Sequence, residues 1–560
     1  MKTKLNKPGY NRLVGDKASS LNGSQESAHR IGGREIGIQK RMVLIKNVGS
    51  ALCRNFLKWV RGIKPVLQFN ALGFTVVAFT ACSMPESNNT AAKETLAEST
   101  PVSTQFEKTE IRAVWVSVLA EGLKSPKEIQ QLVETARLAN LNTIVAQVHR
   151  EGAAMFNSTI QPRHASIVKR PGFDPLETLL EEARDTSDGK LPLKVHAWFN
   201  SFKIGGQKDY LESTPKPIVL THPEWHTRNR AGEIQYELEQ GHPEVQNRMI
   251  AVIEECLKQY DVDGVNLDFV RYFGNDRGYN PLALARFQKE TGILGRPEAE
   301  NMEWSDFRRK QISNFVKRCA ISVWTYRPKA ILSVDATGWG PAPVESFSDT
   351  RPYREALQDW GNWSEKGWVD LVLRMGYKRE WVEDQKQEFR DWADYTLELI
   401  DRSEGRMVTI GIGGHFNPLA DTLEQYREAI NRDLGTCLFS YDRPTKEAAD
   451  SEGSLRGHNS RIWPILGKAI YPDPAKPPKV TWRKHLAFIA GFLKDEAGNP
   501  IDGGQIALTN TDYKTKSDGA GFFAFYSLQP GQYQLSVPKN SLDGKQVEAS
   551  AGNVAWVREN

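Results

Sequence analysis

A (β/α)8 barrel followed by a small all-β sandwich is the fold class that three features of this 560-residue chain predict. Between residues 106 and 470, eight apolar strand-like runs alternate with helical patterns. Polar residues gather at the carboxyl ends of several of those runs, where such barrels place their chemistry. After a Pro-rich linker, residues 471–480, short strands and turn signals fill residues 481–560. A doubly wound open sheet is the alternative for the first part, but no Gly-rich fingerprint follows the first strand to support it.

The strands read IRAVWVSV from Ile111, NTIVAQVH from Asn142, LKVHAWFN from Leu193 and VDGVNLDF from Val262. Four more are AILSVDATG from Ala330, VDLVLRMGY from Val369, MVTIGIGG from Met407 and GTCLFSYD from Gly435. Helices are expected near 126–139, 174–187, 243–260, 303–327, 351–366, 381–402 and 420–433, with a last one near 454–468. Ser125, Pro126 and Glu128 form the opening of the first helix, and Pro243 and Glu244 that of the third.

Side chains along a strand alternate between the barrel interior and the helix layer. Val265, Leu267 and Phe269 then face helices, and Asn266 and Asp268 face inward. By the same count His196, Trp198 and Asn200 point in from the third strand, and Ser333, Asp335 and Thr337 from the fifth. Arg374 leaves the facing of the sixth strand open. Polar groups in a strand are costly unless they have partners or work to do. Their recurrence at one level on neighbouring strands marks a site there, with Asp268 at its centre.

The amino terminus reads as an address. Residues 1–41 look like a disordered extension or an overlong gene start, with Met42 a plausible true start. A basic stretch from Arg54 to Lys64 precedes an apolar run from Pro65 to Cys82, and a polar tether, residues 83–105, follows. The run is short for a spanning helix, and FTAC resembles a lipobox with Cys82 as the lipidated residue. Residues 1–82 are therefore expected to direct the chain to the cell envelope, lipid-anchored and facing the periplasm or exterior. An uncleaved membrane anchor is the alternative. A net charge of +4 and no long basic run after residue 82 argue against nucleic acid as a partner. The five cysteines form no CxxC pair, and Cys256, Cys319 and Cys437 read as buried thiols.

Taken in order, IRAVWVSV, NTIVAQVHREG, KVHAWFN, THPEW, GHPEV and YDVDGVNLDFVRYF resemble the glycosyl hydrolase-like 10 family, once called domain of unknown function 187. The resemblance covers roughly residues 108–445. It implies a barrel with glycosidase-type activity on bacterial polysaccharide, best supported for cell-wall glycan, in envelope proteins of which many are lipoproteins. Asp268 matches the family carboxylate after DG, with Arg271 and Tyr272 completing that motif. His196, Trp198 and Asn200 match HAWFN, His222 and Trp225 match HPEW, and Tyr377 matches a tyrosine ending the sixth strand. The chain departs from the family at Ala153, where an Asp is usual, and in LEQG, Leu238 to Gly241. The fourth strand also resembles that of chitinase-type family 18 glycosidases. Val270 stands where their acid would be, so that mechanism is not transferable.

Glycoside hydrolysis commonly uses two carboxyl groups, one protonating the leaving oxygen and one acting as nucleophile or activating water. Asp268 is the first candidate and Asp335 the second; Glu151 and Asp442 are weaker ones. His149, His196, Asn200, His222, Asn266, Arg271 and Tyr377 are candidate sugar contacts, and Trp198, Trp225 and Trp339 candidate stacking platforms. No cofactor is expected, and neither HExxH nor a P-loop suggests a metal. A non-catalytic glycan-binding protein and a polysaccharide deacetylase remain the alternatives. The tail resembles the carboxypeptidase regulatory-like sandwich. A passive spacer is its expected role and a glycan- or protein-binding module the alternative; every candidate catalytic group precedes Tyr471, so the tail is expected to be dispensable for chemistry.

Overall fold

The structure, a computed structural model, describes residues 108–558 except 188, 205–217 and 405. The extension, the signal-like segment with Cys82 and the 83–105 tether lie outside the described residues.

Eight parallel strands close into a barrel. They are β1 (Arg112–Val116), β2 (Thr143–Arg150), β3 (Lys194–Asn200), β4 (Gly264–Asp268), β5 (Ile331–Thr337), β6 (Leu371–Gly376), β7 (Met407–Gly413) and β8 (Gly435–Phe439). Each pairs with its sequence neighbour, and β1 pairs with both β2 and β8, which completes the closure. The interior is packed by Trp115, Val145, Trp198, Leu371, Leu373 and Cys437. Leu371 and Leu373 therefore settle the sixth strand: they face in, and Arg374 faces the helices.

The outer helices are α1 (Pro126–Leu138), α2 (Pro175–Arg184), α3 (Pro243–Gln259), α4 (Pro281–Thr291), α5 (Met302–Tyr326), α6 (Trp360–Glu365), α7 (Glu383–Arg402), α8 (Leu419–Ile430) and the one-turn α9 (Ile462–Ile465). α1 opens as its sequence dictates. Ser125 Oγ accepts from the Glu128 amide, and the Glu128 carboxylate accepts from the Gly122 and Lys124 amides. The single helix expected over 351–366 is broken. A turn at Arg351–Arg354 and α6 are separated by Leu357, whose φ is 53°. The break turns Gln358 toward the strand ends, where its side chain accepts from Thr337 and donates to the Asp335 carbonyl at 3.0 Å. α4 and a hairpin of His226–Arg228 with Ile234–Leu238 were not expected. Both belong to insertions at the carboxyl ends of β3 and β4.

The segment 471–480 is not a free linker. Lys476 bridges to Thr109, the Tyr471 hydroxyl bonds Thr436, and Asn142 Nδ2 donates to the Ala475 carbonyl. The strap thus crosses the amino ends of β1, β2 and β8. Beyond it, β9 (Ala487–Phe492), β12 (Phe522–Leu528) and β15 (Val554–Val557) form one sheet of the sandwich. β10 (Gln505–Leu508), β11 (Lys514–Lys516), β13 (Gly531–Ser536) and β14 (Gln546–Ala549) form the other. Ile489, Phe523 and Phe525 fill the space between the sheets, whereas Phe488, Ala490, Phe522 and Ala524 join the core of the barrel. Because both faces of this sheet are buried, the sandwich is docked against α5.

Candidate functional site

Asp268 ends β4, and Asp335 lies two residues before the end of β5. The register pairs Leu267 with Val334, which puts the two aspartates at the same level on adjacent strands. Both are buried, at 6% and 2% exposure. Burial and the Asp268 charge together push the Asp335 carboxyl well above the usual carboxylate range. Asn266 Nδ2 opposes this by donating to Asp335 Oδ1 at 3.0 Å. Asp268 is also raised by burial, but three contacts favour its anion. Arg271 Nη1 lies 3.8 Å from Oδ1, the Phe269 amide donates at 2.7 Å, and Trp198 Nε1 donates to Oδ2 at 3.2 Å. The pair is therefore asymmetric: the Asp335 carboxyl is pushed well up, whereas Asp268 has three contacts that favour its anion.

The surroundings follow from the strand ends. Phe269 has φ of 54°, so the chain turns sharply right after Asp268. That turn stacks Phe269 on Phe273 at 5.1 Å and sets the Arg271 guanidinium 4.6 Å from the Phe269 ring and 5.6 Å from Trp339. Tyr377 follows β6, and its hydroxyl is pushed far up by burial and by the charges of Asp335 and Asp268. It stays a neutral donor beside the pair. Asn200 pairs with Asp268 in register, and its side-chain oxygen accepts from Gln147 at 3.0 Å. Trp198, at 3% exposure, is a hydrogen-bond donor to the carboxylate and not a stacking platform. Trp339, at 37%, is open to a ligand.

Other sequence candidates are not brought to the pair. His196 pairs with Gly264, at the opposite end of β4 from Asp268, so it lies deep in the barrel. Burial pulls its imidazole down to about 4. His149 is displaced by the irregularity between Gln147 and His149, which breaks the strand alternation. Its ring stacks on Phe199 and donates from Nδ1 to the Asn200 carbonyl at 2.9 Å. His222 and Trp225 stack on each other at 3.7 Å within the insertion after β3, where Trp225 is core. Tyr272 is buried and donates to Glu239 at 2.9 Å. Glu151 pairs with Arg150, and Asp442 accepts from Ser440 and pairs with Arg443.

Three groups near the mouth escaped sequence reasoning. Lys203 Nζ lies 5.1 Å from the Phe269 ring, on the ledge that Arg271 also occupies. Glu237, whose backbone bridges to Lys203, is pushed up to about 7 by burial, against the pull of Arg277. His415 sits edge-on to Tyr377 and is held neutral by burial, which takes it down to about 4. The alternation in IQYEL, Ile234 to Leu238, is the sequence signal that could have placed Glu237. Among the described residues, no group of three or more His, Cys, Asp or Glu side chains is arranged to hold a metal ion.

Comparison with known proteins gives the family. The carboxypeptidase regulatory-like domain family matches residues 489–557. Glycosyl hydrolase DigH of Escherichia coli K12 is 26% identical over 312 residues, which is 50% of this chain and 67% of that protein. Glycosyl hydrolase YngK of Bacillus subtilis is 24% identical over 451 residues, 75% of this chain and 83% of that protein. The solved catalytic domain of β-amylase from Paenibacillus polymyxa aligns with a TM-score of 0.46 at 10% identity, over 66% of this chain and 100% of that one. The glycosyl hydrolase-like 10 family matches residues 110–400, more than half of the chain and the part that carries Asp268, Asp335, Arg271 and Tyr377, and the protein belongs to that family.

Proposed function

We propose that the protein is a glycoside hydrolase that cleaves bacterial cell-wall glycan, the polysaccharide of peptidoglycan, with Asp268 and Asp335 as its carboxyl pair. The carrying observation is that pair: two buried carboxyls at one level on adjacent strands, Asp335 pushed well up by burial and by its neighbour's charge and Asp268 met by three contacts that favour its anion. In this reading Asp335 gives its proton toward the leaving oxygen, and Asp268 acts as nucleophile or activates water. Arg271, the Phe269 amide and Trp198 hold Asp268 ionised, while Tyr377 and Asn200 offer hydrogen bonds to a sugar. A barrel that only bound glycan would have no use for the cost of burying two carboxyls together.

A reducing-end assay on purified peptidoglycan glycan tests the proposal. Asp268→Asn should lower turnover about 10²–10⁴-fold, as expected for a lost acid–base group. Oligosaccharide binding should hardly change, because the variant keeps the shape of the site. Near-normal turnover in that variant, or a folded wild type inert on the glycan, would sink the assignment.

The envelope location is part of the same proposal and rests on the basic, apolar and FTAC order before the tether. Cys82→Ala should release the protein from the membrane fraction or stall its processing. An unchanged membrane fraction with no lipid on the mature amino terminus contradicts it.

A further inference from the structure

Arg374 sits on β6, and its side chain leaves the barrel wall on the helix side. It is completely buried, and Nε, Nη1 and Nη2 all lack a hydrogen-bond partner. No carboxylate among the described residues forms an ion pair with it. Its neighbours are the Phe389 and Trp392 rings of α7, each 5.9 Å from the guanidinium carbon. Glycines let the strand ends approach it closely. A Cβ at Gly376 would stand 3.1 Å from Nη1, and one at Gly338 would stand 3.3 Å from it. The nearby Lys378 is already committed to Glu388 and to the Gly340 carbonyl, which leaves Arg374 as the unpaired cation there. Burial alone pulls the guanidinium down to about 9, so it remains charged at neutral pH.

A buried charge without a counter-charge is among the most costly arrangements a core can hold. An apolar side chain of similar size would pack against Phe389 and Trp392 at no such cost. The Arg374 charge and its three unpartnered nitrogens are satisfied together by one small negative ligand.

We propose that the space between the carboxyl ends of β5 and β6 and helix α7 binds a small monovalent anion, a halide such as chloride, on the Arg374 guanidinium. The site is separate from the carboxyl pair, because Arg374 and the inward-facing Leu373 lie on opposite faces of β6. It is nevertheless close to it in the sheet: Leu373 pairs with Asp335 and Arg374 with Ala336. An anion here braces the strand pair that carries Asp335 and Tyr377 and offsets the Arg374 charge behind them.

The full chain is tested by thermal unfolding in sodium chloride and in sodium gluconate at equal ionic strength. Chloride should raise the unfolding temperature saturably, by roughly 2–5 °C, with bromide able to replace it. Arg374→Met should abolish the difference between the two salts. Identical unfolding of the wild type in both salts overturns the proposal, as does a halide response that persists in Arg374→Met. Should that variant fail to fold, bromide-soaked crystals of the wild type decide: anomalous scattering beside Arg374 supports the site, and its absence there overturns it.

Discussion

Asp335 carries a cost that its function explains. Its folded-state pKa is raised well above the ordinary value, mostly by burial and by Asp268. Below the ordinary carboxylate pKa both folded and unfolded chains hold this proton, and the residue costs nothing. As the pH rises, the unfolded chain ionises first, so the native state loses stability relative to it. Asp335→Asn mimics the protonated form. It should abolish turnover yet raise stability near pH 7 by roughly 0.5–2 kcal/mol, with the gain vanishing toward pH 3–4. Thermal unfolding across that pH range checks it; equal stability of variant and wild type at pH 7 would mean that Asp335 ionises freely. Strand alternation was enough to read Asp268, Asn266 and Asp335 as inward-facing. It could not give depth, which is why His196 looked equivalent to Asn200, nor foresee the irregularity that turns His149 away. It also missed Lys203 and Glu237, which reach the mouth from an insertion with no strand period of the barrel to place them.

The insertions are organised by one buried carboxylate. Glu239, at the end of the hairpin after β3, accepts from Thr227 Oγ1, the Gly241 amide and the Tyr272 hydroxyl. Gln240 beside it donates to the Arg271 carbonyl at 2.9 Å. The hub thus ties the hairpin to the turn that aims Arg271 at Asp268. Glu239→Ala would strand three buried donors, at a cost of about 1–3 kcal/mol for each unsatisfied group. Steady-state kinetics should then show a higher KM with a smaller change in kcat, because the carboxyl pair on β4 and β5 is untouched. A variant with wild-type stability and KM would remove Glu239 from this role. None of this was legible as a motif: LEQG reads in sequence as a departure from a family pattern, and only the fold brings Tyr272 to Glu239. The regular helices, by contrast, were legible from their first turns. Pro126 and Pro243 stand at the first helical positions expected of them, and each helix begins there. The break at Leu357 was not legible, since its cause is the demand of Thr337 and Asp335 for Gln358.

At the scale of the molecule, the sandwich lies along the outside of the barrel on α5, from the amino ends of β5 and β6 to α4, where Arg286 pairs with Asp502 at 2.8 Å. Arg483 donates to the carbonyl of Ala330 and pairs at 3.1 Å with the fully buried Asp370; these two residues stand just before β5 and β6, at their amino ends. Trp324 of α5 packs on Phe488 at 4.6 Å, the Tyr526 hydroxyl bonds the Lys317 carbonyl, and Trp556 Nε1 bonds Thr325. α5 is buried nearly all round, as a helix between two layers must be. The sequence held a trace of this: FFAFY is apolar at almost every position, where a strand with one wet face would alternate. A chain ending after Lys476 keeps every catalytic candidate but exposes Trp324 and removes the counter-charge of Asp370. It should therefore be aggregation-prone and unfold at markedly lower temperature, while any folded fraction turns over soluble oligosaccharide normally. Arg483→Met isolates the electrostatic part. It leaves Asp370 buried and unpaired, which should cost about 3–5 kcal/mol of stability with kcat unchanged at a permissive temperature. If the truncated chain were monodisperse and as stable as the whole, the sandwich would be a spacer after all. If it folded stably but lost kcat, the sandwich would be coupled to the carboxyl pair, through α5 and β5 to Asp335 or through α4 and the insertion after β4.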